Sequence, residues 1–186
     1  MSELFTNGDR PSLEKVLRGR ELRWDLQEKL LLRFPEKSLL SFKLNIPGPV
    51  KRNPVILRMF QVGVEDIENL LAQKNLSPLL EKKVDADTGP EWFLVVSQDA
   101  IELKKAMADL EESMPLGRLY DIDVLHREMD HIRSIERTEV GYPPRTCLVC
   151  GKEAKICSGA RTHSLQELHE QIRECMKMER RMIEFG

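Results

Sequence analysis

The chain has 186 residues, and a hydrophobic fraction of 41% beside 32% charged residues describes a globular chain rather than a disordered one. Lys and Arg number 29 against 31 Asp and Glu, a net charge of -2 that argues against a general polyanion binder; no nucleic-acid partner is expected, and phosphate recognition must be local. The run Met1–Gly8 has neither the basic flank nor the apolar core of a signal peptide, and no apolar stretch reaches the length of a membrane span, so a cytoplasmic protein with no membrane partner is expected.

Residues 11–34 are rich in Leu, Glu, Arg and Lys, with apolar positions at Leu13, Val16, Leu17, Leu26 and Leu30, which predicts a helix closed by Pro35. Alternation over residues 38–46 predicts a strand that stops at Pro47-Gly48-Pro49. A second helix is expected from Val55 to Gln73, its pattern interrupted by Gly63. Two short strands, at residues 80–86 and 92–97, flank Asp87-Thr88-Gly89-Pro90 as a hairpin. Asp99 is placed to cap a helix running to Ser113, with Glu102 as capping-box partner. Pro115-Leu116-Gly117 breaks that helix and leads into a strand over residues 117–124. A further strand at 131–137, a cysteine-bearing loop and a helix over 165–183 opened by Ser164-Leu165-Gln166-Glu167 complete the chain. Strand, helix, strand, strand, helix, strand is the order of a ferredoxin-like βαββαβ unit. The expected fold class is α+β: one domain over residues 1–186, an antiparallel sheet with helices packed on it and further helices at both ends.

Four places concentrate chemistry. In the strand Gly117–Val124, Asp121 and Asp123 stand two residues apart and so point to one face, where like charges repel unless a cation answers them; a hard divalent ion, Mg²⁺, suits two carboxylates, and Arg118 beside them suits a phosphate oxygen. Solvated carboxylates on an edge strand are the plain alternative. The turn Pro47-Gly48-Pro49-Val50-Lys51-Arg52 presents two cations past a strand end, a pattern that suits an anion or an exposed turn equally. Cys147-Leu148-Val149-Cys150 followed by Cys157 and His163 has the ligand types of a structural zinc site; reduced core thiols, with His163 near a phosphate or carrying a proton, are the competing reading. Arg137, Arg145 and Arg161 flank that loop, and guanidinium forks suit a substrate with several phosphates.

Several segments carry a resemblance, in this order: Arg20-Glu21-Leu22-Arg23; Ser41-Phe42; Ile46-Pro47-Gly48-Pro49-Val50-Lys51; Thr88-Gly89-Pro90-Glu91; Leu103-Lys104; Glu111; Pro115 through Leu125; Pro143-Pro144-Arg145-Thr146-Cys147-Leu148-Val149-Cys150; then Ala154, Cys157, Thr162-His163 and Leu165. Together they resemble the apo-citrate lyase phosphoribosyl-dephospho-CoA transferases, also called holo-citrate lyase synthases, over nearly the whole chain. The resemblance implies an enzyme that transfers 2'-(5''-triphosphoribosyl)-3'-dephospho-CoA to a serine of the acyl carrier subunit of citrate lyase and releases pyrophosphate. It implies Asp121 and Asp123 as Mg²⁺ ligands, one of them also drawing the serine proton. Lys51, Arg118, Arg145, Arg161 and Gly48 are then expected at the triphosphate, with Glu91 and His163 orienting groups or moving protons. Members of the family often carry an arginine two residues after the third cysteine; here that residue is Gly159, with Arg161 further on. Two other functions are weighed against this one: a non-catalytic zinc-binding interaction module, and the analogous synthase for the malonate decarboxylase carrier subunit.

Overall fold

The structure, a computed structural model, describes residues 5–183; the first four residues of the run read against a signal peptide lie outside them. Helix α1 (Leu13–Arg33) starts where the Ser12 hydroxyl accepts the Lys15 N–H, and it ends before Pro35. Strand β1 (Ser38–Leu44) stops two residues short of Pro47. Helix α2 (Pro54–Gln73) uses proline in its first turn and Asn53 as cap, the side-chain oxygen taking the Ile56 N–H at 2.8 Å. The hairpin of β2 (Leu80–Ala86) and β3 (Gly89–Val96) turns on Asp87 and Thr88 alone; Gly89 and Pro90 already belong to the strand, a tighter turn than the spacing suggested. Helix α3 (Ala100–Ser113) is capped by Asp99, but Glu102 receives the Gln98 side-chain amide instead of closing a capping box.

Gly117–Leu119 forms one 3-10 turn, not strand, before β4 (Tyr120–Glu128). The reason is steric: a Cβ on Gly117 would lie 2.2 Å from the Glu111 carbonyl oxygen, so the chain folds tightly against the end of α3 there. Strand β5 (His131–Ser134) follows a two-residue turn in which Met129 takes a left-handed conformation. A second 3-10 turn (Arg137–Val140) starts at the residue expected to end the strand over 131–137, and the remaining α-helices are α4 (Ala154–Ala160), α5 (Leu165–Met178) and α6 (Arg180–Ile183); the single final helix read from sequence is split at Glu179, whose buried carboxylate pairs with Arg181. The Ser164–Glu167 capping box forms as expected.

The sheet runs β2-β3-β1-β4-β5 and every neighbouring pair is antiparallel, which is the ferredoxin-like order with β5 added outside β4. Its two faces differ sharply. Leu40, Phe42, Trp92, Leu94, Val96, Tyr120, Ile122 and Val124 point to one side and join α2 and α3 in the main core. Leu39, Phe93, Val95 and Leu125 point to the other and meet Leu30 and Leu31 of α1 in a small second core. Among the described residues no helix is long and apolar enough to cross a membrane.

Where α2 crosses the sheet, Gly63 is required by space: an added Cβ would sit 2.4 Å from Phe42 Cζ and 3.0 Å from Tyr120 Cε1. Gly63→Ala should therefore destabilise the protein by about 1–3 kcal/mol despite its better helix propensity, because the two rings beneath it are fully packed. Urea unfolding checks this, and a midpoint at or above that of the parent would refute the packing argument.

Candidate active site

The acidic pair is set by strand alternation. Asp121 and Asp123 point away from the main core, toward the α1 side, in rows fixed by register: Asp121 lies beside Lys43, which lies beside Glu91, and Asp123 lies beside Ser41, which lies beside Phe93. Lys43 Nζ is 3.1 Å from an Asp121 oxygen. From α1 above, Arg23 donates to Glu91 through Nε at 3.0 Å and again through Nη2, while the Gln27 amide donates to Ser41 at 3.1 Å. Burial, then the negative charge of Asp121, hold the Asp123 carboxyl above the ordinary carboxylate value, partly offset by Lys104, Lys43 and Arg23.

A cavity of about 720 Å³ opens at the end of the sheet where β1 leaves and β4 begins. Gly48, Lys51, Arg118, Arg145, Arg161 and His163 all line it, although they come from four separated stretches of sequence. Lys51 is held by a 2.6 Å bond from its ammonium to the Ile46 carbonyl; burial first, then the nearby Lys43 charge, keep it below the ordinary lysine value. Gly48 has φ +97, and a Cβ there would meet His169 and Leu165 at 3.4–3.5 Å, so glycine lets the backbone itself form the wall. Arg118 donates to the Thr146 carbonyl. Arg145 reaches the Tyr120 carbonyl at 2.7 Å and buried Glu111 at 2.5 Å. Arg52, the other cation of the Pro47 turn, is committed elsewhere, to Asp85 and Asp9.

Cys147, Cys150, Cys157 and His163 come together so that one donor atom of each lies within 4.8 Å of the others, a Cys₃His set able to hold a metal ion such as zinc. The Cys147–Cys150 turn closes through the Cys147 N–H to the Lys152 carbonyl at 2.5 Å and the Gly151 N–H to the Cys147 carbonyl at 3.1 Å, with Gly151 at φ +72. Burial pushes the Cys147 thiol up, but the Cys150 and Val149 N–H groups aimed at its sulfur, with the neighbouring thiols, outweigh this and leave it below the ordinary value. The Cys157 thiol is pushed up to about 11, first by its hydrogen bond with Cys150.

The structure thus gathers the expected phosphate-binding residues and His163 in one cavity. It sets Asp121, Asp123 and Glu91 on the adjoining sheet face, outside that lining. Arg137, expected with the loop arginines, instead pairs with Glu111 and Glu112 beside α3. Sequence reasoning missed Lys43, Ser41 and Gln27. The signal for two of them was present: Ser41 and Lys43 are polar at the same two-residue period as Asp121 and Asp123.

An α+β domain with a basic cavity beside an acidic strand has the makings of a transferase for a phosphate-bearing group. The family model described as apo-citrate lyase phosphoribosyl-dephospho-CoA transferase matches residues 11–179, and the chain belongs to that family. It is 40% identical over 170 residues to a Streptococcus pyogenes serotype M5 (strain Manfredo) protein named "Probable apo-citrate lyase phosphoribosyl-dephospho-CoA transferase", covering 91% of this chain and 88% of that one. An Escherichia coli O6:K15:H31 (strain 536 / UPEC) protein with the name "Apo-citrate lyase phosphoribosyl-dephospho-CoA transferase" is 37% identical over 157 residues, 84% of each chain. "Protein CitXG" of Leuconostoc mesenteroides subsp. cremoris is 39% identical over 175 residues, 94% of this chain but 37% of that longer one.

The raised Asp123 value has a stability consequence. A carboxyl whose folded value exceeds its unfolded one stabilises the fold below the unfolded value, and that contribution is lost as pH rises through the folded value. Asp123→Asn should therefore melt higher than the parent at neutral pH in metal-free buffer, by about 2–4 °C, the shift that about 1 kcal/mol makes in a chain of this size. The advantage should vanish below about pH 4, where the parent carboxyl is protonated too. A neutral-pH melting point below the parent's would contradict it.

Proposed function

We propose that this chain, as a single transferase domain over residues 1–186, transfers the triphosphoribosyl-dephospho-CoA precursor to a serine of the apo acyl carrier subunit of citrate lyase in the cytoplasm and releases pyrophosphate. The observation that carries the reading is the convergence of Lys51, Arg118, Arg145 and Arg161 on one cavity at the strand end that also carries Asp121. Family membership supports the substrate and acceptor. The net charge of -2 makes so local a concentration of cations informative.

Asp121 and Asp123 fit a hard cation. Their donors are all oxygen, they share one face, and Asp123 is held above its ordinary value partly by the charge of Asp121. Two carboxylates completed by water and substrate phosphates are a usual Mg²⁺ complement. Bound there, Mg²⁺ would neutralise charge gathering on the phosphoryl oxygens.

The residues of the chain do the rest. Lys51, Arg118 and Arg161 hold the two phosphates that leave, with the bare backbone at Gly48 allowing close approach. Arg145, tied to Glu111 and to the Tyr120 carbonyl, offers charge and stiffens the wall. The phosphorus next to the ribose lies at the cavity edge toward Asp121. There the serine oxygen forms its bond to phosphorus, the bond from phosphorus to the pyrophosphate oxygen breaks, and one of the two carboxylates takes the serine proton. Glu91, held by Arg23, stands opposite Lys43 on the neighbouring strand and adds negative charge beside the Lys43–Asp121 pair. His163 belongs to the Cys₃His set, which we read as a structural zinc site rather than a proton carrier.

Incubation with the precursor, Mg²⁺ and apo acyl carrier subunit should add the mass of the prosthetic group to the carrier, read by intact-protein mass spectrometry, with the malonate decarboxylase carrier as control acceptor. No mass gain on the citrate lyase carrier would overturn the proposal. Preferential charging of the control would assign the chain to the other synthase. Asp121→Asn and Asp123→Asn should each lower the transfer rate by about a hundredfold or more, the effect of several kcal/mol. Full activity in both variants would remove the proposed Mg²⁺ centre.

A further inference from the structure

We propose that one zinc ion on Cys147, Cys150, Cys157 and His163 fixes the outer wall of the cavity, so that metal loading controls whether the site can grip a polyphosphate. This rests on the transferase reading only for what the cavity binds.

Beyond Arg145 at its root and Leu148 packed against the main core, the wall has little apolar packing to hold its shape. Over residues 145–163, the only buried residues among those described are Cys147 and Cys157, and both belong to the cluster. A segment of this length without an apolar centre cannot offset the entropy of ordering its backbone. The hydrogen bonds that close it are few: the Thr146–Glu153 bridge, the Ala154 N–H to the Arg145 carbonyl at 2.8 Å, and the turn of the cysteine pair. A structural metal supplies what a core would.

Two further observations point to a ligand at this place. His163 Nε2 is buried without a hydrogen-bond partner among the described residues, a costly state for an imidazole unless a metal takes the lone pair. Cys150 and Cys157 sulfurs lie 3.5 Å apart. That is far beyond a disulfide bond, and close to the edge of about 3.8 Å that a tetrahedron with Zn–S bonds of about 2.3 Å requires. Three thiolates and one imidazole select zinc among common divalent ions, and they leave no open position for chemistry.

The link from metal to cavity runs through neighbours in sequence. Thr146, whose carbonyl receives Arg118, directly precedes Cys147. Arg161 stands between Cys157 and His163, in a left-handed conformation at the end of α4, with the Thr162 N–H bonded to the Cys157 carbonyl at 3.0 Å. Without the ion both guanidiniums lose the backbone that aims them.

The test uses full-length untagged protein purified without chelator. Elemental analysis should find about one zinc per chain, and cobalt exchanged into the site should show thiolate-to-cobalt charge transfer and tetrahedral d–d absorption. Inorganic tripolyphosphate binding, followed by calorimetry, should weaken about tenfold on stripping the metal, as expected for loss of one well-aimed charged hydrogen bond, and return with zinc. Cys150→Ser, at an exposed position, should lower zinc content and tripolyphosphate affinity together while circular dichroism retains the sheet signal. Protein that neither carries zinc nor takes up zinc or cobalt would overturn the metal site. Unchanged tripolyphosphate affinity after stripping would overturn its control of the cavity, as would loaded protein that fails to bind tripolyphosphate. If zinc and tripolyphosphate binding are linked as described but no carrier is charged, the transferase reading falls and this one stands.

Discussion

A carboxylate sealed from water must have its charge answered, and in this molecule that carboxylate is Glu111. It is 3% exposed at the end of α3, and burial lifts its pKa against the pull of Arg145, Lys104 and Arg137. Those partners reach far. Arg145 precedes the cysteine turn and bonds the Tyr120 carbonyl; Lys104 bonds the Ile122 carbonyl at 2.7 Å. Because β5 pairs only with residues 125–128 of β4, the outer edge of β4 from Tyr120 to Ile122 would otherwise present bare peptide groups. One buried charge network therefore closes the sheet edge, anchors the root of the metal-binding segment and holds the strand that carries Asp121 and Asp123.

The sheet divides its labour by alternation. Tyr120, Ile122 and Val124 of β4 enter the main core, and Tyr120 adds a 2.5 Å hydrogen bond to buried Asp66, which in turn pairs with Arg181 near the C-terminus. Odd-numbered positions face α1. There the apolar contacts of Leu30, Leu31, Leu39, Phe93, Val95 and Leu125 occupy one end and the polar rows of Lys43, Ser41 and the aspartates the other. Helix α1 spans both, which explains how a helix with few buried residues is still held: its second half packs, while Arg23 and Gln27 hydrogen-bond to the strands below.

Much of the fold was legible because it follows from local rules. Proline stops, caps at Asp99 and Ser164, and the two-residue period of the strands each act over a few positions. The candidate site was legible where residue type carries the chemistry: the Cys₃His set and the cavity cations meet as their types suggest. What sequence could not convey is which of several polar partners a side chain takes. Glu102 takes Gln98 rather than the helix start, Glu179 splits the last helix by pairing with Arg181, and Arg137 is drawn across the fold to α3 by Glu111 and Glu112; each outcome depends on which polar group is nearest in three dimensions.

The same geometry limits where the chemistry of the transferase reading can lie. The cavity is lined by cations, thiols and apolar side chains such as Ile46, Leu148 and Leu168, and among its lining residues there is no carboxylate. If His163 serves the metal, the cavity retains binding power but no base. The aspartate face has the converse character: Asp121, Asp123 and Glu91 stand together on it, outside that lining. Lys43 joins them, paired to Asp121 and close enough to Lys51 to add to the burial that lowers that lysine's pKa. The division also explains why the two cation-rich elements differ in construction: the Lys51 turn is fixed to the sheet by the Ile46 carbonyl, whereas the arginine wall, with only Leu148 and the Arg145 anchor tying it to the main core, depends further on its cluster of cysteines and histidine.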